Sequence, residues 1–263
     1  GALPLAEVFE ERVAGRFGPG TTTADLRRRR WFSLSRRVVK ATALREPYRR
    51  EALVETRENV ERDLARMEDI VRRGGTFYLT PEGKYSVDGR IGPMRGVVER
   101  LAPLSTVYLA GVSYDPFVSK RFSMLYRIAR FGTVADGAAM TAMTRTLAAI
   151  RPIVTSQVLS AWLLSHGGSF TEDDAVLAVQ SALKGLPGGV FVDPELRRDP
   201  ARLVRKSLPL LVSWKILERD GERYRLAAER LHPQFPFVND IVAHQTAFLE
   251  ETLSNAAYAR RQA

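Results

Sequence analysis

The residue types best suited to chemistry crowd into one stretch, Leu79-Thr80-Pro81-Glu82-Gly83-Lys84-Tyr85-Ser86-Val87-Asp88-Gly89-Arg90-Ile91-Gly92-Pro93-Met94-Arg95-Gly96. Glycines alternate here with the cations Lys84, Arg90 and Arg95 and the hydroxyl of Ser86. Such a loop can turn backbone N–H groups and cationic side chains toward a phosphate, and a helix starting just after it adds the positive end of its dipole. Arg and Lys would hold the phosphate oxygens by charge-assisted hydrogen bonds. The same composition also describes an ordinary surface turn, because Gly, Pro and Asp gather in turns generally.

Other chemistries find little support. Cysteine is absent, which excludes disulfide scaffolds, thiol nucleophiles, zinc ribbons and iron–sulfur sites. His166, His232 and His244 lie far apart, with no ligand-like neighbour at metal spacing, so no metal site is expected. No Gly-x-Ser-x-Gly elbow, Walker loop or dinucleotide glycine fingerprint occurs. His166, before Gly167-Gly168, reads as a helix C-terminal cap, and His244 as a partly buried packing residue.

The elements around the loop follow from periodicity. Pro47 to Arg73 predicts a helix, with Leu53, Val60, Leu64, Met67 and Val71 on one stripe and Gly74-Gly75 as its stop. Thr76 to Thr80 reads as a short strand, Pro81 to Gly92 as a loop, Met94 to Leu101 as a helix, and Ser105 to Ser113 as a strand apolar on both faces. Strand, loop, helix and strand make a βαβ unit and hence a parallel or mixed sheet, with the loop at its first strand's carboxyl end. From Ala138 onward the pattern is helical: 138–164, 172–183 after a Thr171 cap, 199–215, and a final helix over 238–257. Asp220-Gly221 between alternating apolar positions predicts a hairpin within 216–226. Helices ending in a hairpin resemble a winged-helix arrangement. Without a basic recognition helix this favours packing over nucleic-acid reading. The expected division is an α/β core with a basic helical N-terminal segment over 1–137, and a mainly helical region over 138–263.

Of the 263 residues 45% are hydrophobic and 27% charged, so the chain folds, as one large or two small domains. Lys and Arg number 40 against 30 Asp and Glu, a net charge of +10. Leu26 to Arg50 holds ten of those cations (Arg27 and Arg28 among them) and a single acid, Glu46. A local patch of this kind points to lipid headgroups, nucleic acid or a phosphorylated substrate, or else to a solvated Arg-rich face. Trp31 and Phe32 beside it suit either a lipid interface or a core. No stretch approaches the roughly 18 apolar residues of a membrane span, so membrane contact is expected to be peripheral. The start at Gly-Ala-Leu, with no Met or signal-peptide layout, suggests that sequence precedes it.

The loop resembles the glycerolipid acyltransferase superfamily, whose members carry a Phe-Pro-Glu-Gly-Thr-Arg-Ser block after a strand. The matching residues are Leu79 to Ser86, then Asp88-Gly89 and Gly92 to Gly96, and a second family block is similar to Val107 to Asp115. Phe237 to His244 looks like the tail of the large bacterial glycerol-3-phosphate acyltransferases. The resemblance implies a mixed-sheet α/β acyltransferase core, here partial, and acyl transfer from acyl-CoA or acyl-carrier protein to a glycerol phosphate hydroxyl in phospholipid synthesis. It implies no cofactor, and a place in the cytoplasm at the inner face of an anionic membrane. On it, Glu82 and Gly83 shape the acceptor site, Lys84, Arg90 and Arg95 hold phosphate, and Ser86 braces the loop. Nucleic acid is not an expected partner.

The departures are specific. Lys84-Tyr85 stands where the family has Thr-Arg. The family's catalytic His-x-x-x-x-Asp is missing, since the fifth residues after His166, His232 and His244 are Thr171, Phe237 and Leu249. No catalytic residue is therefore assigned, and the pair is expected upstream of Gly1 unless the chain is a non-catalytic homologue. The alternative function is a binding module contacting anionic membrane or nucleic acid through Arg27 to Arg50.

Overall fold

A computed structural model describes residues 2–28, 43–83, 86–121, 123–132 and 138–259. The chain combines helices with small antiparallel sheets and divides into two compact units, Gly1–Arg73 and Gly74–Ala263. Residues 74–137 and 138–263, expected to part company, fall in the same unit.

Among the described residues the first unit holds three short helices, α1 (Leu5–Val8), α2 (Glu11–Ala14) and α3 (Thr23–Arg28), and one long one, α4 (Tyr48–Arg72). Leu5, Val8 and Phe9 form its small core with Val13, Phe17, Leu44 and Tyr48 packed on it. Arg49, a member of the basic window, is tied to Glu10 at 2.6 Å and donates to the Leu44 carbonyl. Helix α4 ends at the expected glycines, yet Val71 alone of its stripe is buried, with Leu53 and Val60 half exposed. Trp31, Phe32 and the cations from Arg29 to Lys40 lie outside the described residues, as do the side chains of Arg27 and Arg28.

The second unit corrects the expected βαβ unit. Among the described residues Thr76 to Thr80 pairs with no strand, and Tyr78 is 81% exposed. Strand β1 (Val107–Asp115) instead pairs antiparallel with β2 (Ser123–Gly132), whose apolar alternation is interrupted by Arg127 and Arg130. Helix α5 (Gly96–Leu101) is only six residues long, with little dipole to offer the loop before it. Strand β1 is covered on one face, not two. Leu109 joins Ala129 and residues Met143, Leu147 and Ile150 of helix α6 (Ala138–Ile150), while Tyr108, Met124, Tyr126 and Ile128 stay more than half exposed on the ribbon's outer side.

The single helix expected over 138–164 is two helices. Pro152 cannot donate to the helical ladder, so α6 stops and α7 (Thr155–His166) starts afresh. Val154 has no side-chain acceptor. The buried Asp115, at the end of β1, takes its place: its carboxylate accepts the N–H groups of Thr155 (2.9 Å), Ser156 (3.2 Å) and Phe117 (3.2 Å). Helix α7 closes at His166 with Gly167 in the left-handed region, as the sequence suggested. Strand β3 (Phe170–Thr171) and helix α8 (Glu172–Lys184) follow, the helix capped reciprocally by Thr171 and Asp174. Helices α9 (Pro194–Arg198) and α10 (Pro200–Ser213) lead to β4 (Leu217–Asp220) and β5 (Arg223–Leu226), turned at Gly221. These strands form a sheet of order β3-β5-β4. Asp240 caps α11 (Ile241–Ser254) by accepting from Val242 and Ala243, and α12 (Ala256–Ala259) ends the described chain. Helix α11 packs on α7, where the Ser156 hydroxyl donates to Gln245 at 2.9 Å. One core of Leu159, Leu163, Phe170, Val179, Leu208, Leu211 and Ile241 joins these elements.

Candidate functional site

The described residues 80–83 and 86–96 form a closed turn. The Gly83 N–H donates to the Thr80 carbonyl (3.1 Å) and the Arg95 N–H to the Pro81 carbonyl (2.8 Å), so the two ends of the loop meet. Inside it the half-buried Glu82 carboxylate accepts the Gly92 N–H at 2.6 Å, and the Glu82 carbonyl accepts Nε of Arg95 at 3.0 Å. Gly83 lies under that guanidinium: a Cβ there would meet Arg95 Nε at 2.8 Å. Ser86 donates to Asp88 Oδ1 at 2.9 Å, and the same oxygen accepts the Arg90 N–H at 3.1 Å. These two bonds, the backbone one first, hold the Asp88 carboxyl below the ordinary aspartate range. Ser86 is thereby tied to the turn through Asp88.

The loop rests on helix α11. At Gly89 a Cβ would lie 2.1 Å from the His244 carbonyl oxygen, so only glycine permits this approach. Arg90 reaches Glu250 at 3.1 Å, with both groups about half exposed, and the Ile91 N–H donates to both oxygens of Glu251 at 3.3 and 3.0 Å. Behind them sits Arg151, buried where α6 ends. It donates to Glu251 Oε2 at 2.7 Å and to the Phe248 carbonyl at 3.3 Å, with its guanidinium 3.7 Å from the Phe248 ring centroid. Burial pulls its pKa down to about 10, against the opposing charges of Glu251 and Glu82, so it remains a cation at neutral pH. Arg151 is placed by Gly111 of β1, where a Cβ would lie 2.8 Å from Ile150 and 2.9 Å from the Arg151 nitrogen.

The structure therefore brings Glu82, Gly83, Ser86, Arg90 and Arg95 into one turn, with both arginines exposed at its surface. Lys84 lies outside the described residues. Each arginine already has a partner, Glu250 for Arg90 and the Glu82 carbonyl for Arg95, and a hollow of about 370 Å³ lined by Leu183, Leu186, Val190 and Arg197 lies elsewhere in the unit. Sequence reasoning missed Arg151, Glu250 and Glu251. One signal was present: Arg151 is a lone charge between Ala149-Ile150 and Pro152-Ile153.

The three histidines divide as follows. His166 is exposed at the end of α7, its ring tilted against that of Trp162 with centroids 4.9 Å apart. His232 is buried between Trp214 and Phe235, its Nδ1 accepting the Gln234 N–H, and burial lowers its pKa to about 4. His244 is buried beneath the loop, where loss of water lowers its pKa while the Ser86 backbone and the Asp88 charge oppose that effect. Among the described residues no group of three or more His, Asp or Glu side chains is arranged to hold a metal ion. No family model, curated protein or solved structure matches this chain.

Proposed function

We propose that residues 80–96 bind the phosphate of a glycerol phosphate, as the acceptor-binding part of an enzyme that moves a fatty acyl group onto its hydroxyl from acyl-CoA or acyl-carrier protein. The observation that carries this reading is a turn fixed from within by Glu82 and Asp88 and from below by α11, with Arg90 and Arg95 exposed upon it. Cations on a loop already ordered lose little freedom on binding, and a guanidinium matches two phosphate oxygens at once. The likeness of Leu79–Ser86 and Val107–Asp115 to the acyltransferase blocks adds the choice of acceptor.

In the reaction the hydroxyl oxygen attacks the thioester carbonyl, a general base takes its proton, and the tetrahedral oxyanion collapses with departure of the thiolate. No histidine of this chain has an aspartate five residues on, so the reading gives residues 80–96 acceptor binding and assigns them no general base. The ribbon of β1 and β2 with its covering helices is read as part of an acyltransferase core. The reading places the protein at an anionic membrane surface on the cytoplasmic side; among the described residues no helix is long and apolar enough to cross a membrane.

The elements α7, β3, α8, α10, β4 and β5 run in winged-helix order, and we read them as a packing module. On α10, Arg202 is paired with Glu195 and Asp199, and Arg205 with Glu172 and Asp173; on the hairpin, Arg225 is paired with Glu218. Cations neutralised in this way leave little field for a nucleic-acid backbone. Calorimetric titration tests the phosphate reading: glycerol 3-phosphate should bind, glycerol should not, and Arg95→Ala should weaken binding by about tenfold, the size of one lost charge-assisted pair. Equal binding of glycerol and glycerol 3-phosphate, or unchanged affinity in both Arg90→Ala and Arg95→Ala, refutes it.

A further inference from the structure

We infer that helix α11, acting through Glu251 and the buried Arg151, is the element that sets the position of the loop over residues 80–83 and 86–96. Two successive loop amides are each taken by a carboxylate, Ile91 by Glu251 and Gly92 by Glu82. Both carboxylates act electrostatically on one cation, Arg151. Its charge lets two anions from distant parts of the sequence approach the same short piece of backbone. Without it, Glu82 and Glu251 would repel, and the amides they hold would be released.

Arg151 itself is held rigidly. The Phe248 carbonyl and ring and the Glu251 carboxylate restrain it from α11, and Gly111 lets β1 close over the turn that carries it. Its side chain is 6% exposed and its Nε has no hydrogen-bond partner, so it is out of reach of a ligand on the outer side of the loop. Arg151 and Glu251 are therefore positioning residues: they fix Ile91 and Gly92, and through them the neighbouring Arg90, which Glu250 holds from the same helix. His244 completes the seat, its carbonyl lying against Gly89.

Amide hydrogen exchange on the 263-residue chain tests this, with the urea midpoint as the control for folding. In Arg151→Met the Ile91 and Gly92 amides should exchange about tenfold or more faster, while amides of α10 keep their protection. Arg151→Lys, which keeps the charge and loses the planar fork, should recover most of that protection, an outcome that loss of packing alone would not give. Gly89→Ala tests the same seat from the other side, and decides the matter if Arg151→Met does not fold. Exchange at both amides within about twofold of the unmodified protein in every folded variant overturns the inference.

The effect on ligand rests on the function proposed above: Arg151→Met should weaken glycerol 3-phosphate binding about fivefold or more without touching the ligand. If the unmodified protein binds no glycerol 3-phosphate, that function falls, while the exchange rates still decide whether α11 seats the loop.

Discussion

Two buried groups with opposite linkage should partly offset each other in the acid stability of the second unit, and replacing one should expose the other. His232 has its folded pKa lowered from 6.5 to about 4 by burial. As pH falls below 6.5 the unfolded chain takes up this proton first, so the stability present above that value is lost progressively down to about pH 4. Asp115 has its folded pKa raised from 3.8 to about 6, burial outweighing its three backbone N–H bonds. Here the folded chain takes up the proton first, so stability is gained as pH falls from about 6 toward 3.8. From pH 7 to 5, linkage gives a loss of about 2 kcal/mol from His232 and a gain of about 1 kcal/mol from Asp115. His244, also lowered by burial, adds to the loss in every variant. Asp115→Asn keeps an acceptor for α7 and removes the titration; its unfolding free energy should drop by about 1 kcal/mol more than wild type over this interval. His232→Asn keeps an acceptor for the Gln234 N–H and should show a loss about 2 kcal/mol smaller than wild type. Urea unfolding at pH 7 and 5, followed by the fluorescence of Trp162 and Trp214, measures these differences. Identical pH dependence in wild type and both variants would refute the reasoning.

Further outcomes follow from individual contacts. Gly111→Ala should destabilise the second unit by about 2 kcal/mol, because its methyl group meets Ile150 and Arg151 inside 3.0 Å and forces β1 from α6; thermal melts will show it. Thr171→Ala removes the acceptor for the Asp174 N–H and should cost about 1 kcal/mol in urea unfolding. Phe170→Ala, in a site packed by Trp162 and Tyr224, should cost about 3 to 5 kcal/mol and lower the urea midpoint with little change in slope.

The helical half was legible because its signals are local. Thr171 caps α8, Gly167 ends α7 and Asp220-Gly221 turns the hairpin, each within a few residues of the element it shapes. The sheet was less so. β1 drew attention as an apolar run, but its partner β2 carries arginines at positions 127 and 130, which mask the alternation, and Thr76 to Thr80 has strand composition without a neighbour to pair with. At the candidate site, all six residues were named from spacing and likeness, and five of them lie among the described residues. Its support was hidden because Asp115 caps a helix 40 residues away and Glu251 holds an amide 160 residues away, distances over which periodicity carries no information. The break at Pro152 was readable in principle, since a proline there ends any helix running from Ala138.

That separation of 160 residues also dictates an order of events during synthesis. While the ribosome is still adding residues 241–254, the stretch around Gly89 to Gly92 has nothing to lean against, and its amides exchange freely with water. The turn acquires its shape only once residues 241–254 have emerged. A stop codon shortly before Ile241 would therefore leave the motif intact in sequence yet without form, so translation through α11 acts as a check on the competence of a segment made long before.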